Sequence, residues 1–127
     1  MEIQGLIEAA DRGKWSPIQL LVGTERLFID RAVAALRRAC VGEGDSWNEE
    51  IFQAKTASSA RIVDAARTIP MLGGQRFVLV RNLHELPEKE HERLAEYFAA
   101  PVDSCCLVLT ADKLDGRGKL LKIAKQK

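Results

Sequence analysis

The junction that follows the first apolar run is where phosphate chemistry would be found. Ile18 to Val22 is short and almost wholly apolar, it runs into Gly23, and a helical pattern opens at Glu25. A phosphate-binding loop at such a place reads GxxxxGK[ST]. Its backbone N–H groups cradle the phosphates, its lysine neutralises them, and its hydroxyl holds magnesium. Counted from Gly23, the second glycine, the lysine and the hydroxyl fall on Phe28, Ile29 and Asp30. Phe28 puts bulk where phosphate must approach the backbone, Ile29 carries no charge, and Asp30 repels phosphate. Glu25 is expected to offer a carboxylate to the helix N-terminus, the place a phosphate would take. Two readings stay open at this point: a nucleotide site stripped of its chemistry, and an ordinary strand–glycine–helix turn.

The third apolar run repeats the pattern. A strand that supports nucleotide hydrolysis ends in acidic residues that hold metal and orient water. Phe77-Val78-Leu79-Val80 ends in Arg81-Asn82, and the next carboxylate, Glu85, comes too late in the chain. His84 and His91 have no partners at metal-ligand spacing. Cys40, Cys105 and Cys106 form neither a CxxC motif nor a disulfide framework, and Cys105 and Cys106 must point to opposite faces of a strand. No nucleophile–base arrangement is visible. The expectation is no catalytic site, no cofactor and no metal.

A different kind of feature lies in Ile69-Pro70-Met71-Leu72-Gly73-Gly74-Gln75-Arg76. Turns are usually polar, yet here two large apolar residues stand between a proline and a glycine pair. Proline stops the preceding helix and restricts Ile69 to an extended conformation. The glycines permit a reversal with positive φ. Met71 and Leu72 then sit at a tip, or fold back as a satellite core. A tip of this composition suits a macromolecular partner. Ile69, Gly73 and Gln75 are the expected flanking contacts. Arg61 and Arg67 lie on the outer face of the helix before it.

The elements that must position these stretches alternate along the chain. Ile3 to Arg12 reads as a helix, Ile18 to Val22 as a strand, and Glu25 to Val41 as a helix with Phe28, Ala32, Leu36 and Ala39 on its inner face. Glu43 to Ser46 reads as a loop and Glu49 to Ala54 as a weaker strand. Ser58 or Ser59 is placed to cap a helix carrying Ile62, Val63 and Ala66 inward. Phe77 to Val80 is the third strand. Pro87 with Glu88 and Glu90 opens a helix that presents Leu94, Tyr97 and Phe98 to the core. Cys105 to Leu109 is the fourth strand, followed by a helical segment with Lys119, Lys122, Lys125 and Lys127. Strands separated by helices imply right-handed crossovers, a parallel sheet and an α/β class with helices on both faces.

With 127 residues the chain fits one domain, residues 1–127, and it has 19 basic against 18 acidic residues. A net charge of +1 gives no general call for nucleic acid or membrane. No apolar run reaches membrane-span length and no secretory leader is visible, so a cytoplasmic setting with reduced thiols is expected. The chain stops inside a helical run, Lys122 to Lys127, which suggests a piece of a longer protein.

Several segments, in order and at matching spacing, resemble the delta subunit of bacterial DNA polymerase III. They are Leu20-Leu21-Val22-Gly23-Thr24-Glu25, Ala66 to Leu72, Arg76 to Arg81 with Leu83, Leu94 to Tyr97 with Pro101, and Leu107 to Asp115 with Lys119. The resemblance covers nearly the whole chain and implies its N-terminal, P-loop NTPase-derived AAA+-like domain. That domain has strand order 2-3-4-1 and a fifth strand, missing here, beside the first. It further implies an accessory clamp-loader subunit of a nucleotidyltransferase holoenzyme, without catalysis of its own. Such a subunit binds the beta sliding clamp and favours ring opening during DNA replication, near the nucleoid. The matching clamp-binding pair is Met71 and Leu72. Other expected partners are the gamma/tau and delta prime subunits, mainly through lid and collar domains absent here, and DNA in the full complex. Two rivals remain: a divergent P-loop enzyme handling nucleotides at Gly23, and a DNA-binding adapter using the C-terminal lysines.

Overall fold

The computed structural model describes residues 15–42, 47–70 and 74–111. Four strands, β1 (Ile18–Val22), β2 (Glu49–Gln53), β3 (Arg76–Arg81) and β4 (Cys105–Ala111), alternate with three helices, α1 (Arg26–Val41), α2 (Ser59–Arg67) and α3 (His91–Ala99). Two 3₁₀ turns, Leu83–Glu85 and Glu88–Glu90, lead from β3 into α3. The expected helix over Ile3 to Arg12, the loop Glu43 to Ser46, the residues Met71, Leu72 and Gly73, and the lysine-bearing segment after Ala111 lie outside the described residues.

All described strand pairs are parallel and the order is β1-β4-β3-β2, which from the other edge reads 2-3-4-1. Successive side chains on a strand face opposite ways, so each strand feeds two cores. Val78, Val80, Leu107 and Leu109 pack with Ile62, Ala66, Leu94, Tyr97 and Phe98 from α2 and α3. Phe77, Leu79, Cys106 and Val108 pack with Ile29, Ala32, Val33 and Leu36 from α1. Cys105 and Cys106 thus enter opposite cores, as alternation requires. Burial pushes the Cys40 thiol up to about 11 and that of Cys105 to about 12, so both stay protonated at neutral pH.

Several local expectations need correcting. Phe28 is 46% exposed, whereas Ile29 is buried. At 3.6 residues per turn the two differ by about 100°, and the stripe through Ile29, Val33 and Leu36 is the one that meets the sheet. Glu25 stands at the N-cap of α1 without a side-chain cap bond. Short side chains reach the first free N–H groups; a glutamate at that position is not of this kind. Ser58 takes the N-cap position of α2, as expected, but makes no side-chain cap bond. The helix N-terminus is closed from outside by Glu90, whose Oε2 accepts from the Ser59 amide at 2.9 Å and also from the Ser59 hydroxyl. His91 is half-buried, with Nε2 3.0 Å from Leu86 O.

The Ser59 bonds hold the Glu90 carboxyl below its ordinary value of 4.5. Unfolded chain therefore binds the proton more readily, and stability rises with pH in that window. The contribution is complete above pH 4.5 and is lost as pH falls through the lowered pKa. Glu90→Gln should be less stable than the parent to urea at pH 7, with the gap closing in acid; a gap constant from pH 7 to acid would contradict the cap.

Candidate functional site

The Ile69–Arg76 stretch starts where α2 is made to end. Thr68 leaves the helix in an extended conformation (φ −64°, ψ 134°). Its amide donates to Ala65 O at 3.3 Å and its hydroxyl to Asp64 O at 2.6 Å, which satisfies carbonyls that would otherwise be orphaned. Ile69 follows at 85% exposure, then Pro70, half-buried. The chain re-enters at Gly74, whose φ of +84° is left-handed and favours glycine. Gln75 is half-buried, and its amide nitrogen donates to Asp103 O at 3.0 Å and Ser104 O at 3.2 Å. Its polar end is therefore engaged within the domain. Met71, Leu72 and Gly73 lie between these fixed points, outside the described residues.

Arg76 sets both ends of the stretch. It is only 6% exposed. Nε donates to Ala65 O at 3.0 Å, Nη1 to Trp47 O at 3.4 Å, and Nη2 to Glu50 Oε2 at 3.2 Å. Its backbone N–H reaches Ser104 O at 2.7 Å, and its carbonyl accepts from Cys40 Sγ at 3.1 Å. A cation at the C-terminus of α2 also meets the negative end of the helix dipole. Nearby, Arg67 stacks over the ring of buried Tyr97, 5.7 Å from its centroid, while remaining exposed itself. Burial pushes the Tyr97 hydroxyl up to about 12.

The junction at Gly23 lies at the opposite, C-terminal end of the strands. The Gly23 amide donates to Ala111 O at 3.0 Å, so this N–H closes onto β4. An open cleft of about 270 Å³ is lined by Gly23, Thr24, Arg26, Asp30, Arg81 and Asn82, with Ile29, Thr110 and Ala111. Across it Arg81 Nη1 lies 3.6 Å from Asp30 Oδ1. Sequence reasoning marked both residues as misfits for phosphate and metal, but not their pairing. Thr110 is buried, and its hydroxyl accepts from the Asn82 amide at 3.3 Å. Among the described residues no cluster of His, Cys, Asp and Glu could hold a metal ion, and no helix is long and apolar enough to cross a membrane.

A model of the family "DNA polymerase III, delta subunit" matches residues 20–127. The chain belongs to the DNA polymerase III delta subunit family. It is 29% identical to the DNA polymerase III subunit delta of Bacillus subtilis over 126 residues, which covers 91% of this chain and 36% of that protein. The solved Bacillus subtilis DNA clamp loader delta protein superposes with a TM-score of 0.86 at 26% identity, over 98% of this chain and 40% of that one. A DNA polymerase III gamma subunit-related protein from Thermotoga maritima gives a TM-score of 0.68 over 99% of this chain and 43% of its own, at 12% identity; that likeness concerns fold alone. The chain thus spans about two fifths of the length of the delta relatives it matches.

Replacing Arg76 with Met should destabilise the fold by about 2–3 kcal/mol, the scale of losing charge-assisted hydrogen bonds at a buried site. Arg76→Lys should recover only part of this, because one ammonium cannot span the two carbonyls and the carboxylate as a fork does. Urea denaturation measures both.

Proposed function

We propose that this chain is the clamp-contacting part of a delta subunit, a non-catalytic member of the clamp loader that binds the beta sliding clamp and favours its open form. The observation that carries the proposal is Ile69, 85% exposed on the extended run that leaves α2, immediately ahead of Pro70-Met71-Leu72. Arg76 locks the end of that helix and Gln75 the return, so the apolar pair is presented from a fixed frame. Met71 and Leu72 enter an apolar pocket on the clamp. Ile69 and Gly73 flank them, and Gln75 acts by positioning the turn.

Burying two such side chains contributes about 1.5–3 kcal/mol each. Micromolar binding needs about 8 kcal/mol net. The pair is therefore an anchor within a wider surface. A subunit that binds the open ring better than the closed one shifts that equilibrium by the difference in affinity.

On the same reading, residues 1–127 form one AAA+-like domain of a longer chain, and its P-loop is degenerate at Gly23, Phe28, Ile29 and Asp30. The Asp30–Arg81 pair supports this, since an internal ion pair lies where phosphate and metal would compete for it. The gamma/tau and delta prime subunits meet the longer chain mainly through its further domains, and DNA is met in the complete loader inside the bacterial cytoplasm.

Met71→Ser/Leu72→Ser, shown to be folded, should lose clamp binding by at least tenfold in a direct titration; unchanged affinity would remove the assignment. Calorimetry with ATP and magnesium should give no saturable heat. Saturable binding lost on altering the Gly23 loop would instead support a nucleotide-handling enzyme.

A further inference from the structure

Six large apolar side chains are prominently exposed among the described residues. Val22, Leu27 and Phe28 gather where β1 runs into α1, at the C-terminal end of the sheet, and Ile51 lies on edge strand β2. The two most exposed, Ile69 at 85% and Trp47 at 80%, both lie at the N-terminal end. Trp47 lies two residues ahead of β2, and Ile69 leaves α2 towards β3. One guanidinium links Trp47 to the helix that Ile69 leaves: Arg76 bonds Trp47 O through Nη1 at 3.4 Å and the last turn of α2, Ala65 O, through Nε at 3.0 Å.

We propose that Trp47 is a second apolar anchor for the sliding clamp, set beside the Ile69–Gln75 turn on the same end of the domain. The inference rests on the clamp reading above and extends it to a residue that the sequence did not single out. Three arguments favour it. A tryptophan in solvent is costly to keep and is among the residues most enriched at binding hot spots. The Met71–Leu72 pair is too small to supply a stable interface alone, so contact must spread onto adjoining surface. Trp47 is a large exposed apolar group two residues ahead of the neighbouring strand β2, at the same end of the sheet, and Arg76 fixes the spacing of its backbone from the last turn of α2 before any partner arrives, which lowers the ordering cost of binding. The Glu50 carboxylate beside it is half-exposed and already paired with Arg76. The surface around Trp47 therefore does not require a cationic partner. An apolar pocket or ledge on the clamp, next to the one that takes the tip, fits it.

The test uses the full-length chain and the clamp. Trp47→Ala, whose side chain is exposed and leaves the core intact, should weaken clamp binding by about thirty-fold, the threshold of a hot spot. Trp47→Phe should lose less. Leu27→Ser, at the other end of the sheet, should leave affinity unchanged. In a full-length variant whose other tryptophans are changed to Phe, acrylamide quenching of Trp47 fluorescence should fall when the clamp is added. Unchanged affinity or unchanged quenching overturns the proposal. If Trp47→Ala binds normally while Met71→Ser/Leu72→Ser does not, Trp47 is no anchor and the clamp reading stands. If neither variant changes affinity, the clamp reading falls and takes this one with it. Self-association that Trp47→Ala abolishes, without effect on clamp affinity, assigns the residue to a contact between copies and overturns the proposal too.

Discussion

A single buried guanidinium organises one end of this domain. Arg76 begins the inner strand β3 and joins the last turn of α2, Trp47 just ahead of β2, β2 itself, and, through its backbone, the residue before β4 and the end of α1. A buried cation is tolerated only when its donors are satisfied. Here two carbonyls and a carboxylate satisfy them, each from a different segment. The geometry of the end that presents Ile69 and Trp47 follows from that requirement. Any reorientation of α2 against β2 would leave a charge without its partners.

The two ends of the sheet differ in kind. At the C-terminal end several polar groups are turned on one another: Asp30 with Arg81, the Thr110 hydroxyl with the Asn82 backbone N–H, and the Gly23 amide with Ala111. At the N-terminal end Arg76 ties several segments together, and Ile69 and Trp47, the most exposed of the large apolar side chains among the described residues, are found there. An α/β domain of this type ordinarily does its chemistry beyond the C-terminal ends of its strands. In a delta-family chain whose Asp30 is paired with Arg81 there, a protein-binding role at the other end is physically coherent.

Much of the frame was legible from residues. The four strands fall where apolar runs were bounded by turn residues, and the inward sets on α2 and α3 follow helical periodicity. The failures share one cause: local pattern does not report contacts between distant segments. Phe28 and Ile29 are both apolar neighbours, and only the sheet decides which is covered. The cap of α2 comes from Glu90, 31 residues on, so two adjacent serines drew attention instead. Arg76 looked like the polar edge of a turn, yet its partners lie 11 to 29 residues back. Trp47 carried no signal because a lone tryptophan beside a strand is ordinarily core. At the candidate site, Ile69 and the Gly74 reversal were readable from the Pro and Gly-Gly flanks. The inward engagement of Gln75 was not.

The central claim is that the N-terminal end of the sheet, and not the Gly23 cleft, meets the clamp. Amide hydrogen exchange of the full-length chain with and without the clamp tests it most directly. The account predicts new protection concentrated in Ile69–Gln75 and around Trp47, with Gly23–Asp30 unchanged. Protection centred on Gly23–Asp30, with none in Ile69–Gln75, would contradict it.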